Sequence, residues 1–334
     1  MTARTNTPNH FDVRRIRSRR SAVGLSMLVA AALVAACGDE GSGERTTDTM
    51  LVDGKPLVVV TYSVLGDVVS QLVGDAAVVQ VIIPNGQDPH DYSPSAKDVE
   101  AMRGAALVVS NGLDLEEGME DALHTLEDDG IPLFHATDHI TLRELSPEEK
   151  AAEDEHAEDE HGHGSDDPHI WTDPLAMREM APELAAQLET VLGVQLDDQL
   201  AALEAEMDAL DAQVREIMSI VPTGECRLVT GHESLGYFAD RYDCELIGAV
   251  IPSLSSTAET SAKELADLLK VASSSGVRAI FTEVGTPADV AEQVASEVGV
   301  PLVELPSHNL PETGGYAAFI TELATKVANG LTGA

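Results

Sequence analysis

The sequence predicts an α/β protein of two similar lobes, each built on a mainly parallel sheet, joined by one long rigid helix. Three observations predict that architecture. From Pro56 onward, short β-branched runs alternate with amphipathic helical stretches. The runs are apolar throughout, as strands covered on both faces of a parallel sheet are. The alternation gives way once to a long amphipathic segment and restarts near Arg227.

The elements follow in order. LVVVTY (57–62) reads as strand, GDVVSQLVG as helix and VVQVII (78–83) as strand before a long turn. SAKDVEAMRG (95–104) reads as helix, LVVSNG (107–112) as strand and LEEGMEDALHTLEDDG as helix. Leu196, Leu200, Leu203, Met207, Leu210, Val214 and Ile217 then recur at spacings of four and three, which predicts one amphipathic helix. Asp197 and Asp198 stand at its start, where the helix dipole favours anions. A coiled-coil dimer seam has a similar spacing, but a single helix laid along two lobes suits the α/β halves on either side. Beyond it come RLVT as strand, a helix through SLGYFADRY, the strand ELIGAV and a helix over 258–275. Strand VRAIFT (277–282), helix 287–298, strand PLVEL (301–305) and a last helix from near Gly315 complete the pattern. The expected division is an N-terminal lobe over 56–194, a connecting helix over 195–220 and a C-terminal lobe over 221–334.

Residues 1–36 read as a targeting segment. Arg14, Arg15, Arg17, Arg19 and Arg20 precede an apolar run from Ser21 to Ala36 that is short for a membrane span. It ends in Val34-Ala35-Ala36-Cys37-Gly38, which resembles a bacterial lipoprotein signal with Cys37 as the lipidated residue. Residues 37–55 are then a polar, Gly-rich tether from a lipid anchor on the outer face of the cell membrane. Export leaves 14 basic and 57 acidic residues, a net charge of −43 against −38 for the whole chain. Such a balance excludes a nucleic-acid partner, whose phosphates need clustered Lys and Arg. Besides Cys37 the chain has only Cys226 and Cys244. Outside the cytoplasm an even pair invites a disulfide, and each precedes a β-like run, although two buried thiols remain the alternative.

Of the eleven histidines, most need no function. His10 falls in the targeting segment, and His124, His135 and His139 have no organised partners in the sequence. Four others stand in loops next to strands or helices, and the two in Asp-Pro-His turns are stiffened by Pro. His90 lies in PNGQDPHDYSPS after strand 78–83, and His169 lies in DDPHIWTDP, where Trp171 can pack the loop down while Asp173 caps the next helix. His232 follows RLVT at a strand-to-helix turn, and His308 follows PLVEL in ELPSHNLPETGGY. Loops at the carboxyl ends of strands are where open α/β sheets place ligands, and neutral imidazole is a good ligand for zinc. Upstream of His169, residues 153–167 hold eight acids, three His and two Gly, and His156, His161 and His163 there are candidates for weak auxiliary metal binding.

Taken together, DPHDYSPS, DPHIWTDP, GHESLGYFADRY and the closing strand–loop–GGY helix resemble the metal-binding solute receptors of bacterial ABC importers, most of all their zinc-uptake receptors. The resemblance spans roughly residues 56–330 and implies a metal site in the cleft between the two lobes. It implies His90, His169 and His232 as ligands, with His308 in a place where many relatives carry Asp; Glu304 or a water is the alternative fourth ligand. It implies a monomeric, lipid-anchored, non-enzymatic receptor that carries Zn2+ as cargo to a membrane permease powered by an ABC ATPase. A manganese receptor of the same family is the nearest alternative, and nitrogen-rich ligation favours zinc over the oxygen-seeking Mn2+. A zinc hydrolase would also gather histidines, but no HExxH occurs, and in GHESLG His232 stands where a GxSxG elbow needs Gly.

Overall fold

A computed structural model describes residues 49–147, 149–151 and 166–333. The expected signal segment, Cys37, most of the tether, and His156, His161 and His163 lie outside the described residues.

Strand β1 (Leu51–Val52) turns back antiparallel onto β2 (Lys55–Val60). Parallel to β2 run β3 (Val78–Val81) on one side and β4 (Leu107–Ser110) on the other, with β5 (Leu133–His135) parallel to β4. Leu57 to Val60 are fully buried, which accounts for their unbroken apolar run. The helices of this lobe are α1 (Ser63–Val73), α2 (Ala96–Arg103), α3 (Glu120–Asp128) and α4 (Pro174–Leu192). Helix α2 opens with a reciprocal cap between Ser95 and Asp98. Helix α4 has Asp173 as its cap, accepting from the Leu175 N–H at 2.8 Å, and Pro174 in its first turn.

The connecting helix is α5 (Asp197–Met218), and Leu203, Met207, Leu210, Val214 and Met218 form its buried stripe. That stripe is covered within the chain by α1, α4 and the last helix, α9 (Gly315–Thr332), so it presents no coiled-coil seam. In the second lobe β6 (Arg227–Thr230) pairs with β7 (Glu245–Ala249), and β8 (Ile280–Thr282) with β9 (Leu302–Glu304), all parallel. Around them lie α6 (Gly236–Arg241), α7 (Ala262–Ser275) and α8 (Ala288–Val298). Cys226 and Cys244, one residue ahead of β6 and β7, form a disulfide.

Strand β5 was not anticipated; three residues between a helix and a short turn carry no periodicity. The predicted strands 277–282 and 301–305 shorten to Ile280–Thr282 and Leu302–Glu304, the residues that pair with each other. One apolar core runs from the first sheet through α1, α4, α5 and α9 to Leu228 and Phe281 of the second lobe. A smaller core lies among β6, β8, α7 and α8.

Candidate metal centre

The four loop histidines are all buried: His90 and His308 are 3% exposed, His169 and His232 fully enclosed. His90 enters from the loop after β3, and His169 from the turn before α4. His232 enters from the loop after β6, and His308 from the loop after β9. The Nε2 atoms of His90 and His169 are 3.4 Å apart, and those of His169 and His232 are 3.0 Å apart. Ligand nitrogens around a tetrahedral zinc ion, at about 2.05 Å from the metal, stand about 3.3 Å apart, so the spacing suits such an ion.

Each of these three rings turns its other nitrogen to a carboxylate. His90 Nδ1 lies 3.0 Å from Glu117 Oε1, His169 Nδ1 lies 2.8 Å from Asp167 Oδ1, and His232 Nδ1 lies 2.8 Å from Glu283 Oε1. A proton on Nδ1 of His90 and His169, assigned from these hydrogen bonds, and on Nδ1 of His232, drawn by the ion-pair contact with Glu283, leaves a lone pair on each Nε2. Three converging lone pairs repel one another unless a cation, or a shared proton, sits among them. His90, His169 and His232 form the one group among the described residues whose ligand atoms are close enough to share an ion.

His308 is beside this group rather than within it. Its ring stacks 6.2 Å from that of His232 and tilts against Trp171 at 5.4 Å. Its Nδ1 faces Ser307 Oγ at 3.0 Å, while Nε2 is buried with no hydrogen-bond partner among the described residues. Glu304, the alternative fourth ligand, ends β9 with its side chain exposed, unlike the buried imidazoles. His124 is exposed and His139 stacks on Phe134 at 4.5 Å. His135, expected to lack organised partners, bonds Ser110 Oγ at 2.7 Å and Glu127 at 3.2 Å, anchoring the end of the sheet.

Both Asp-Pro-His turns use one local device. Asp88 Oδ1 accepts from the His90 N–H at 3.1 Å, and Asp167 Oδ1 accepts from the His169 N–H at 2.9 Å. Asn111, just past β4, steadies the second turn by donating to the Pro168 carbonyl at 2.8 Å. Arg143 donates to Asp167 at 2.9 Å, to Glu149 at 2.9 Å and to Asp240 of α6 at 3.1 Å. Two glycines permit the close approaches. A Cβ on Gly118 would strike the Tyr92 carbonyl, so only Gly lets Glu117 reach His90. A Cβ on Gly231 would strike Thr286 Oγ1 and crowd Glu283.

Electrostatics follow from burial and these partners. Burial opposes charge on Glu283, but His232 outweighs it and holds the carboxyl at about 2. Burial disfavours a charged His232, and Glu283 with Asp88 and Asp167 raises it nonetheless. Burial and the neighbouring rings push His169 well down. His308 sits at about 4, where burial prevails over Asp88 and Glu283. Burial would raise the Asp88 carboxyl, but His90, His308 and the Ser256 hydroxyl hold it below the usual range.

Sequence reasoning missed Glu117, Glu283 and the hydroxyls that hold them. Ser256 donates to Asp88 at 2.6 Å and Thr257 donates to Glu117 at 3.1 Å, so the Ser-rich stretch after β7 grips both carboxylates beside His90. These contacts join residues more than 100 positions apart. Only the twin Asp-Pro-His turns held a readable signal, for Asp88 and Asp167.

A buried cluster of imidazoles fed by loops of two α/β lobes defines a metal-binding solute receptor. The chain belongs to the family described as zinc-uptake complex component A, periplasmic (ZnuA), which matches residues 58–330. It is therefore a substrate-binding component of a metal ABC transporter and not an enzyme. It is 31% identical over 275 residues to the high-affinity zinc uptake system protein ZnuA of Bacillus subtilis, covering 80% of this chain and 82% of that protein. It is 28% identical over 241 residues to the zinc-binding protein TroA of Treponema pallidum, covering 70% of this chain and 72% of that one. The solved structure of that periplasmic zinc binding protein aligns with a TM-score of 0.73 at 26% identity, over 83% of this chain and 99% of the other. A manganese-binding lipoprotein, MntA of Halalkalibacterium halodurans, is also similar, at 24% over 278 residues, 82% of this chain and 84% of that protein. Among the described residues no helix is long and apolar enough to cross a membrane.

Proposed function

We propose that this protein is an extracytoplasmic zinc receptor, anchored by a lipid on Cys37, that captures Zn2+ as a monomer and delivers it to an ABC importer. His90, His169 and His232 hold the cargo, and His308 completes the set by a small turn of its ring while its loop stays in place. The observation that carries the reading is the convergence of three Nε2 atoms while each Nδ1 faces a carboxylate. All-imidazole ligation suits zinc, whereas Mn2+ prefers oxygen. Manganese is the second reading, favoured by the oxygens of Asp88 and Glu283 that border the rings. In the acidic stretch upstream of the buried Asp167, His156, His161 and His163 serve as a weak auxiliary reservoir.

Elemental analysis and competition titration test the proposal. Wild type should hold one tightly bound zinc, with Mn2+ displaced from it. His90→Ala, His169→Ala and His232→Ala should each weaken binding at least a hundredfold, since truncating one ligand leaves an incomplete shell. Equal zinc affinity in wild type and the variant lacking all four histidines would sink the reading.

A further inference from the structure

We propose that Asn85 is a positioning residue for the cargo site, latching the His308 loop across the lobes and thereby setting how fast metal leaves. This rests on the reading of His308 as a ligand. His308 is the exception among the four imidazoles: its Nδ1 meets only the neighbouring Ser307 hydroxyl, where the other three meet carboxylates. The side chain has no carboxylate bonded to it to fix the ring, so its placement is set by the backbone of its loop.

That backbone is held from the opposite lobe. Trp171 Nε1 donates to the Ser307 carbonyl at 2.8 Å in a buried contact, and Ser63 Oγ reaches the His308 carbonyl at 3.4 Å. Asn85 makes the two-point contact. Its Oδ1 accepts from the Leu310 N–H at 2.7 Å and its Nδ2 donates to the Leu310 carbonyl at 2.9 Å. The side-chain amide thus pairs with one residue as a neighbouring strand would. Asn85 belongs to the same loop as His90, so the loop that brings one ligand grips the loop that brings another.

The difference in burial separates the roles of these contacts. The Trp171 bond is sealed, whereas the Asn85 pair is exposed, so water can replace it and each bond there contributes modestly. An exposed two-point pair is a latch that opens without unfolding either lobe. Opening it frees residues 308–310 to carry the imidazole away from His90, His169 and His232.

The test is a double-mutant cycle on zinc release, measured by stopped-flow transfer to excess chelator. Asn85→Asp keeps the size and the acceptor for Leu310 N–H but sets an oxygen against the Leu310 carbonyl. It should speed zinc release about tenfold, the equivalent of about 1.4 kcal/mol for losing one exposed hydrogen bond and setting two acceptors against each other. In a His308→Ala background, already fast, Asn85→Asp should add less than twofold. Unchanged release in Asn85→Asp would overturn the proposal, as would equal acceleration with and without His308. If wild type binds no zinc, the receptor reading itself fails. If zinc binds but His308→Ala releases it like wild type, the zinc receptor stands and the role assigned to Asn85 falls.

Discussion

Asp167→Asn removes one charge at constant volume and measures how far His169 depends on its carboxylate. Both oxygens of Asp167 face donors: Oδ1 accepts from the His169 N–H at 2.9 Å and meets Nδ1 at 2.8 Å, and Oδ2 accepts from Arg143 Nη1 at 2.9 Å. An Asn amide offers one acceptor and one donor edge. With its nitrogen toward Arg143, donor meets donor in a fully buried place that water cannot repair. With its nitrogen toward His169, the ring proton is driven to Nε2, the atom that must face the cargo. Loss of such an orienting partner lowers metal affinity about 10- to 100-fold, or roughly 1.4–2.7 kcal/mol. Competition titration with a chromophoric zinc chelator at pH 7.5 should show that loss. Asp240→Asn, which removes the exposed partner of Arg143, should leave affinity within about twofold. An Asp167→Asn protein that matches wild type within threefold would refute the argument that the carboxylate sets the ring.

Two further predictions concern stability. Replacing Cys226 and Cys244 by Ser opens a closed loop with a sequence separation of 18, which should lower urea-unfolding stability by about 3 kcal/mol by the chain-entropy estimate while zinc still binds. Cargo-free protein should lose stability as pH falls from about 6.5, because burial holds folded His308 at about 4 and the unfolded chain takes the proton first. The contribution of Glu283, held at about 2, is likewise present at neutral pH and lost as acid protonates it, whereas the raised His232 works in the opposite direction above the ordinary imidazole range. Urea midpoints at pH 7 and pH 5 should therefore differ more in wild type than in His308→Ala; equal drops would refute the assignment.

Much of the fold was legible because its determinants are local. The buried run Leu57–Val60 of β2 had to be apolar on both faces, and the α5 stripe had to repeat at helical spacing. His90 and His169 stood out as candidates for a similar reason: Pro-stiffened turns next to strand or helix ends are short-range patterns. The carboxylates behind them were not, since Glu283 reaches His232 across 51 positions and Thr257 reaches Glu117 across 140. Nothing near Glu283 in the sequence marks it as different from the other acids of so acidic a chain. The placement of α9 was equally hidden. Its apolar face shows that it is buried, but not that the Tyr316 hydroxyl donates to the Trp171 carbonyl at 3.0 Å, or that Asp67 of α1 accepts from the Tyr316 N–H at 2.9 Å.

The apolar core that passes from one lobe to the other makes the two halves a single cooperative unit. Neither could be cut away without exposing the faces of α5 and α9 that the other covers. A jaw that swings wide is therefore closed to this molecule, and cargo exchange falls to the loops at the cleft's rim. Because those loops meet ligands from both halves, a captured ion holds the whole chain together rather than one end of it. Heat resistance then rises with the free concentration of the metal. The receptor's melting point doubles as a gauge of how well it is loaded.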